Sequence, residues 1–272
     1  MGLDRLIKFA NITRQLIPWR TIKLNAYLER LGGLCRLFFW EKDIMRTAVY
    51  IDGYNLYYGA IHGTKHKWLD VVGLFTHLAQ KVEPSSDVVK VRYFTSRVSG
   101  KYSKHGQDSY TSQDRYIRAL EALYPSIFTK ILGKHLVRED EKILFQETID
   151  IKERVRILNI EEKKTDVNIA LDMYRDAVSS NFDQLVLVTS DSDLQPAIHL
   201  IKQDYSKLKL GVILPTPPST SEKSSKVRSS GALQKDVDWI LNNIGEKDMF
   251  SNQLPNSIKP QKGQNIIKPS YW

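Results

Sequence analysis

Between residues 47 and 214 short apolar runs alternate with longer amphipathic stretches. The runs TAVYI, VVKVRYFT, IFTKIL, QLVLVT and LKLGVIL read as strands over 48–52, 88–95, 127–132, 184–189 and 208–214. Most are rich in β-branched and aromatic residues, and several lack polar alternation, the pattern of strands buried on both faces. Helical stretches fall between them, over 56–61, 71–81, 113–124, 166–179 and 194–202. Alternating strands and helices predict an α/β fold: a twisted, mostly parallel sheet with helices on both faces. One stretch breaks the alternation. Residues 134–160 hold HLV, the charged turn REDE, then ILF and RVRILNI, and read as a small β-hairpin insert. Its position just before Asp166 makes it a candidate wall of a substrate groove.

The flanks differ from this centre. Residues 1–44 are basic, carry Trp19, Phe38, Phe39 and Trp40, and read as two helices broken near Pro18 and Gly32-Gly33. Such a helical extension suits a membrane surface, a nucleic acid or a partner. Translation from Met45 would instead leave it unmade. The Pro/Ser/Thr/Lys-rich segment 215–230 reads as a flexible loop. Residues 232–244 read as a last helix or a strand plus helix. The polar end, 255–272, reads as a mobile tail in preference to a docked one. The chain therefore divides into an extension (1–44), one globular domain (45–245) and a tail (246–272).

At 272 residues and 42% hydrophobic, the sequence suits one substantial core and excludes a disordered chain. No apolar run reaches the length of a membrane span, and no signal peptide is evident. The single cysteine, Cys35, excludes an internal disulfide and any Cys-rich zinc site, and fits a cytoplasmic setting. The net charge of +9 sits at the ends: +5 over 1–46 and +3 over 215–272, leaving +1 between. Basic flanks can attract a polyanion or simply keep the surface soluble.

The informative chemistry is acidic. Asp52 follows TAVYI, and Asp191 and Asp193 follow LVLVT as S-D-S-D. Ligands of open α/β sheets bind beyond the carboxyl ends of the strands, so these two motifs predict a single shared site. Asp166 opens the stretch DVNIALDMYRDA, on a face with Ala170, Met173 and Ala177 that points toward the core. Asp172 and Asp176 point elsewhere and read as solvated. Each acid also has a plain structural reading. Asp166 suits a first helical turn, and Asp193 suits an N-cap ahead of Pro196. No helix start obviously needs Asp52. Asn55 suits either a helix cap or a support for Asp52. Clustered carboxylates must be protonated, paired or neutralised by a cation, and a hard ion with oxygen ligands such as Mg²⁺ is the simplest solution. The six histidines show no zinc spacing; His62 and His66 read as loop residues. No dinucleotide, P-loop or G-x-S-x-G pattern is present.

The three segments YIDGYNLY, EKKTDVNIALDM and LVTSDSDLQPAI, in that order, closely resemble the NYN domain family, whose members have a PIN-like nuclease fold. The resemblance covers roughly residues 47–214 with a closing element to about 245. It implies a metal-dependent ribonuclease, with Asp52, Asp166, Asp191 and Asp193 as ligands of Mg²⁺ or Mn²⁺ and Asn55 and Ser190 in support. The residues add candidate RNA contacts: Lys163, Lys164, Arg92 and Arg97 for phosphates, and Tyr54 and Tyr57 for stacking on unpaired bases. Two other readings stand beside this one: a catalytically silent RNA-binding or scaffold protein of the same fold, and a membrane-surface regulator recruited by residues 1–44. Self-association into a homo-oligomer is open.

Overall fold

The computed structural model describes residues 44–147, 150–216 and 231–272. Expectations for residues 1–43, and for most of the 215–230 loop, lie outside them. Six parallel strands form the central sheet in the order β3-β2-β1-β6-β7-β8. They are β1 (Met45–Asp52), β2 (Ser86–Thr95), β3 (Phe128–Leu132), β6 (Gln184–Val188), β7 (Lys209–Ile213) and β8 (Trp239–Leu241). The antiparallel insert, β4 (Lys134–Ile143) and β5 (Arg154–Lys163), forms a separate two-stranded sheet.

Strand β1 shows why the centre of the sheet is fixed. Ala48 and Tyr50 point to one layer, with Ile169, Met173 and Ala177 of helix α4 (Thr165–Ser179). Val49 and Ile51 point to the other, with Leu74, Phe75 and Leu78 of α2 (Val71–Val82). Both layers are dry, so β1 is apolar at every position from Ala48 to Ile51 and cannot slip by one residue without emptying both cores. The helix Gly53–Leu56 (α1) follows β1 directly and runs on as a π-helical turn, Tyr57–Ile61. Gly53 is required there. A Cβ at this position would stand 2.7 Å from the Phe94 carbonyl oxygen and 2.7 Å from the Tyr93 ring.

Three expectations shift. The third helix, α3, spans Gln107–Leu123 and starts six residues before the expected 113, because its first turns are polar and carry no apolar period. Residues 231–241 form a short helix, α6 (Gly231–Gln234), and then the edge strand β8. Trp239 of β8 lies over Gly211, where no side chain would fit, and its indole N–H donates to the Gln184 side-chain oxygen at 3.0 Å. The C-terminal residues dock on the core instead of trailing from it. The helix α7 (Glu246–Ser251) leads to a two-stranded ladder, β9 (Ser257–Ile258) with β10 (Ile266–Ile267). Ile258 and Ile266 are buried, and Trp272 packs on Trp68 and Tyr116 at ring-centroid distances of 6.1 and 5.8 Å. The apolar residues in this otherwise polar stretch are the ones that reach that aromatic pocket.

The solvated reading of Asp172 and Asp176 is also corrected. Asp176 is buried, and its carboxylate accepts from the Tyr50 hydroxyl and pairs with Lys90. Asp172 pairs with Arg92 at 3.5 Å and with Arg175. Strand β2 presents Lys90 and Arg92 beside α4, and the helix answers both with carboxylates. Removing one partner of a buried pair strands the other, at a cost of about 3 kcal/mol or more. We therefore expect Asp176→Ala to destabilise by about that much in urea unfolding, and Asp176→Asn, which keeps an acceptor for Tyr50, to cost less.

Candidate acidic site at the carboxyl edge of the sheet

Strands β1 and β6 pair in register, Ile51 beside Val188, so their carboxyl ends are level. Asp52 and the Thr189-Ser190-Asp191 segment therefore leave the sheet side by side. Asp52 is 5% exposed. Its Oδ1 accepts from the Asn55 backbone N–H at 3.0 Å, and its Oδ2 accepts from the Thr189 hydroxyl at 3.2 Å. It is thus the N-cap of α1, a role the sequence did not reveal. The Asn55 side-chain oxygen reaches across and accepts from the Ser190 N–H at 3.2 Å and the Ser190 hydroxyl at 2.6 Å. Asn55 and Ser190 therefore tie the two strand ends together.

Capping in the second motif falls on Asp191, not on Asp193. The Asp191 Oδ1 accepts from the Asp193 N–H at 2.9 Å at the start of the 3-10 turn Ser192–Leu194, which runs into α5 (Gln195–Asp204). The extra 3-10 turn before Pro196 moves the cap two residues upstream. Asp193 is left exposed. Thr189 joins the two motifs, since its hydroxyl oxygen also accepts from the Asp191 N–H at 3.1 Å.

The third contribution comes from the junction of β5 and α4. Lys164 adopts the left-handed region at φ 78°, a conformation that costs a non-glycine residue of order 1–2 kcal/mol. The kink turns the chain from the hairpin into α4 and puts Glu162 and Asp166 on the same side as Asp52. The Glu162 carboxylate accepts from the Thr165 hydroxyl at 2.7 Å. Gly133 makes room at this corner. A Cβ there would sit 2.5 Å from the Thr165 hydroxyl oxygen and 3.0 Å from the Lys163 carbonyl oxygen.

The electrostatics follow from this convergence. Burial raises the Asp52 carboxyl from the ordinary 3.8 to about 6. The Asn55 N–H and the Thr189 hydroxyl pull it down, while the charges of Asp166 and Glu162 push it up. Asp166, expected on the core-facing side of α4, is exposed, because Thr165, Ile169 and Met173 take the inward positions; its carboxyl is raised too, first by desolvation and then by Asp191, Glu162 and Asp193. Five carboxylates thus share one region, and none of them pairs with a Lys, Arg or His among the described residues. Nearby cations are engaged elsewhere. Lys163 pairs with Glu161 at 2.6 Å, Arg97 with Asp114 at 3.6 Å, and Arg97 also donates to the Tyr110 hydroxyl at 2.6 Å. Arg92 is bound to Asp172. Lys164, on the strained turn, has no ion-pair partner among the described residues.

The donor set is all oxygen, which fits Mg²⁺ or Mn²⁺ and not a soft metal. Among the described residues, no group of three or more acidic or histidine side chains is already gathered as ligands around one point.

Aromatic residues border the same place. Tyr54 and Tyr58 are 46% and 56% exposed with ring centroids 4.6 Å apart, and Tyr58 stacks on His62 at 5.5 Å. His62 ends the π-helical turn, which puts Tyr54, Tyr58 and His62 along one side of it. His135 of β4 adds an edge contact to Tyr54 at 6.4 Å. His66 lies in a loop, as expected, and is buried there beside Glu246 at 3.7 Å. Glu162, Thr189 and Tyr58 escaped the sequence reading. Glu162 lies in the charged run EEKK, which looks solvated. Its one signal is the four-residue spacing to Asp166.

A six-stranded parallel α/β sheet with an acidic pocket at its carboxyl edge places the protein among the nuclease-like α/β folds. The NYN domain profile matches residues 46–230, and the chain belongs to the NYN domain family. It is 32% identical over 250 residues to the 6-hydroxy-3-succinoylpyridine 3-monooxygenase HspA of Pseudomonas putida, across 85% of this chain and 77% of that protein. A crystal structure of a Vibrio parahaemolyticus protein of unknown function superposes at a TM-score of 0.43 and 19% identity, over 74% of this chain and 94% of that one. Among the described residues no helix is long and apolar enough to cross a membrane.

The raised Asp52 has a measurable consequence. The unfolded chain releases this proton near 3.8 and the folded chain near 6. The folded state therefore binds the proton more tightly, and this group's contribution to stability is lost as pH rises from about 4 to about 6, by about 3 kcal/mol. Asp52→Asn should remove that slope. Urea unfolding at about pH 4 and about pH 7 should show the variant gaining on the wild type at the higher pH.

Proposed function

We propose that this protein is a metal-dependent ribonuclease that hydrolyses phosphodiester bonds at the Asp52 pocket. The observation that carries the reading is uncompensated negative charge. Burial and neighbouring carboxylates hold Asp52 near 6, and no cationic side chain answers it among the described residues. Asp52, Asp166 and Asp191 would hold Mg²⁺ or Mn²⁺, with Asp193 and Glu162 completing the acidic surround. When bound, the ion supplies Lewis acidity towards a phosphate and lowers the pKa of water.

The chain's own residues do the remaining work. Asn55 and Thr189 fix both oxygens of Asp52, so its carboxylate loses no further ordering entropy when an ion arrives. Ser190 fixes Asn55. Lys164 is the stronger candidate phosphate contact, and Lys163, which Glu161 holds at 2.6 Å, is a weaker one. Arg97 is weaker too, because Asp114 and Tyr110 already hold it. Tyr54 and Tyr58 offer exposed faces on which unpaired bases can stack.

The relative HspA favours a second reading. An aromatic ring resting on Tyr54 and Tyr58 need not belong to RNA, and a hydroxylated pyridine would stack as well. The charge argument favours the nuclease. A succinoylpyridine, itself a carboxylate, only adds negative charge beside five crowded carboxylates, whereas a divalent cation neutralises them. Monooxygenation would also consume O₂ and a reductant, so oxygen uptake with the pyridine separates the readings directly.

Incubation of single-stranded RNA with Mn²⁺ should give cleavage that EDTA abolishes, and Asp52→Asn and Asp191→Asn should each lower the rate at least about a hundredfold. Cleavage that survives in both variants removes the proposed site. RNA binding without cleavage in any metal leaves the silent RNA-binding reading.

In the same assay Tyr54→Ala should weaken single-stranded RNA binding by about 1–3 kcal/mol and leave double-stranded RNA little changed. Fluorescence anisotropy of labelled oligonucleotides reads this directly.

A further inference from the structure

The acidic pocket leaves one problem that its own residues do not solve. Its crowded carboxylates repel the phosphates of an RNA backbone, and one divalent ion among them offsets only part of that charge. Attraction for a polyanion has to come from elsewhere on the surface.

Two segments supply it. The loop from β2 to α3, residues 97–106, holds Arg97, Lys101 and Lys104 and no Asp or Glu. It leaves the carboxyl end of the strand next to β1, with Phe94 level with Asp52, so it starts beside the pocket. Side chains connect the two. Tyr54, two residues after Asp52, meets His135 at the base of the hairpin arm at 6.4 Å, and the His135 Nδ1 donates to the Arg97 carbonyl at 3.0 Å. The second segment is C-terminal. Residues 251–272 hold Lys259, Lys262 and Lys268 and again no Asp or Glu. The Tyr271 hydroxyl fixes this segment to the first turn of α3 by donating to the Asp108 carbonyl at 2.8 Å, and its ring lies 5.9 Å from His105 of the loop.

Helix α3 runs between the two segments. As the crossover between parallel strands it starts at the carboxyl edge and leads away from it. From Gln107 to Arg118 it covers about 16 Å. Arg115 and Arg118 of this helix, with Gln264 and Asn265 of the turn between β9 and β10, line a groove of about 250 Å³. Asp114 holds Arg118 at 3.8 Å. Arg115 is half-buried. Like Lys101, Lys104, Lys259, Lys262 and Lys268, it has no ion-pair partner among the described residues. A half-buried guanidinium left unpaired is unfavourable unless an anion reaches it. The unpaired cations thus follow a line from the pocket's edge along the side of the fold, opposite in sign to the pocket itself.

We propose that this line is a track for the backbone of a single-stranded RNA whose scissile bond lies at Asp52. A strand fits it better than a bilayer. The cations line a groove beside a helix instead of a flat face, and Gln264 and Asn265 add amides that bond phosphates or base edges. The occupant rests on the ribonuclease reading, but binding in the track does not require cleavage.

Fluorescence anisotropy of the full chain in EDTA, with labelled RNA strands of about 4 and about 16 nucleotides, tests the track without turnover. The longer strand should bind at least about tenfold tighter at low salt. Lys259→Glu with Lys262→Glu should lower that affinity at least about tenfold, and so should Lys101→Glu with Lys104→Glu on the other segment. Each pair should also make the dependence of log K on log salt shallower by at least about 1.4, at about 0.7 for each lost phosphate contact. A misfolded fraction lowers the signal amplitude and leaves this slope alone, so a folding defect does not imitate the result. Equal affinity for the two lengths overturns the proposal, as do slopes unchanged in both pairs. Variants that lose binding to phosphatidylserine vesicles while RNA binding stays intact also overturn it. Cleavage is read separately with Mn²⁺: RNA bound through the track but cut in no metal sinks the ribonuclease reading and leaves the track standing.

Discussion

The site depends on one constraint: strand β1 is buried on both faces. Ala48 and Tyr50 fill one layer and Val49 and Ile51 the other, so β1 has no freedom to slide or tilt. Asp52 is the next residue, and it leaves the core while still desolvated. Its position is therefore set by two hydrophobic layers, and its charge state by the same burial. Because β6 is paired level with β1, Thr189 and Ser190 arrive where they can bond Asp52 and Asn55. Packing here fixes the polar geometry, and the hydrogen bonds hold what packing has already placed.

The remaining acids are brought in by a different device. Glu162 and Asp166 belong to no strand of the main sheet. They sit on either side of the left-handed Lys164, where the hairpin folds back into α4. A residue that costs of order 1–2 kcal/mol in that conformation persists only where its surroundings determine it. Here Gly133 gives clearance on one side and the Thr165–Glu162 hydrogen bond closes the turn on the other. The arm and the acidic pocket therefore share a corner, and the arm is part of the site's construction as well as a projection from it.

Much of this is legible in the sequence, for a physical reason. Strands buried on both faces leave unbroken apolar runs, so β1, β2, β3, β6 and β7 lie within two or three residues of the bounds those runs predict. Asp52 and Asp191 are legible because a carboxylate directly after such a run emerges half-desolvated and must meet a donor or a cation. What the sequence hides is relational. The cap at Asp191 instead of Asp193 follows from a single 3-10 turn, which leaves no periodic trace. Asp176 reads as solvated because its burial depends on Tyr50 and Lys90, each more than eighty residues away. Glu162 is lost in a run of four charges. The docking of Ile258, Ile266 and Trp272 depends on a pocket lined by Trp68 and Tyr116, assembled from distant segments.

The distribution of charge unites these features. Several basic residues near the sheet's carboxyl half are committed: Lys90 and Arg92 to α4, Lys163 to Glu161, and Arg97 to Asp114. Five carboxylates without cationic partners among the described residues, Asp52, Glu162, Asp166, Asp191 and Asp193, gather at the carboxyl edge of the sheet. A fold with so many cations had every opportunity to neutralise that edge with a lysine. A lysine there would satisfy the acids permanently and lower the Asp52 carboxyl. Leaving the acids unpaired costs stability at neutral pH. On the proposed function, the charge that balances these acids is one the polypeptide itself does not provide.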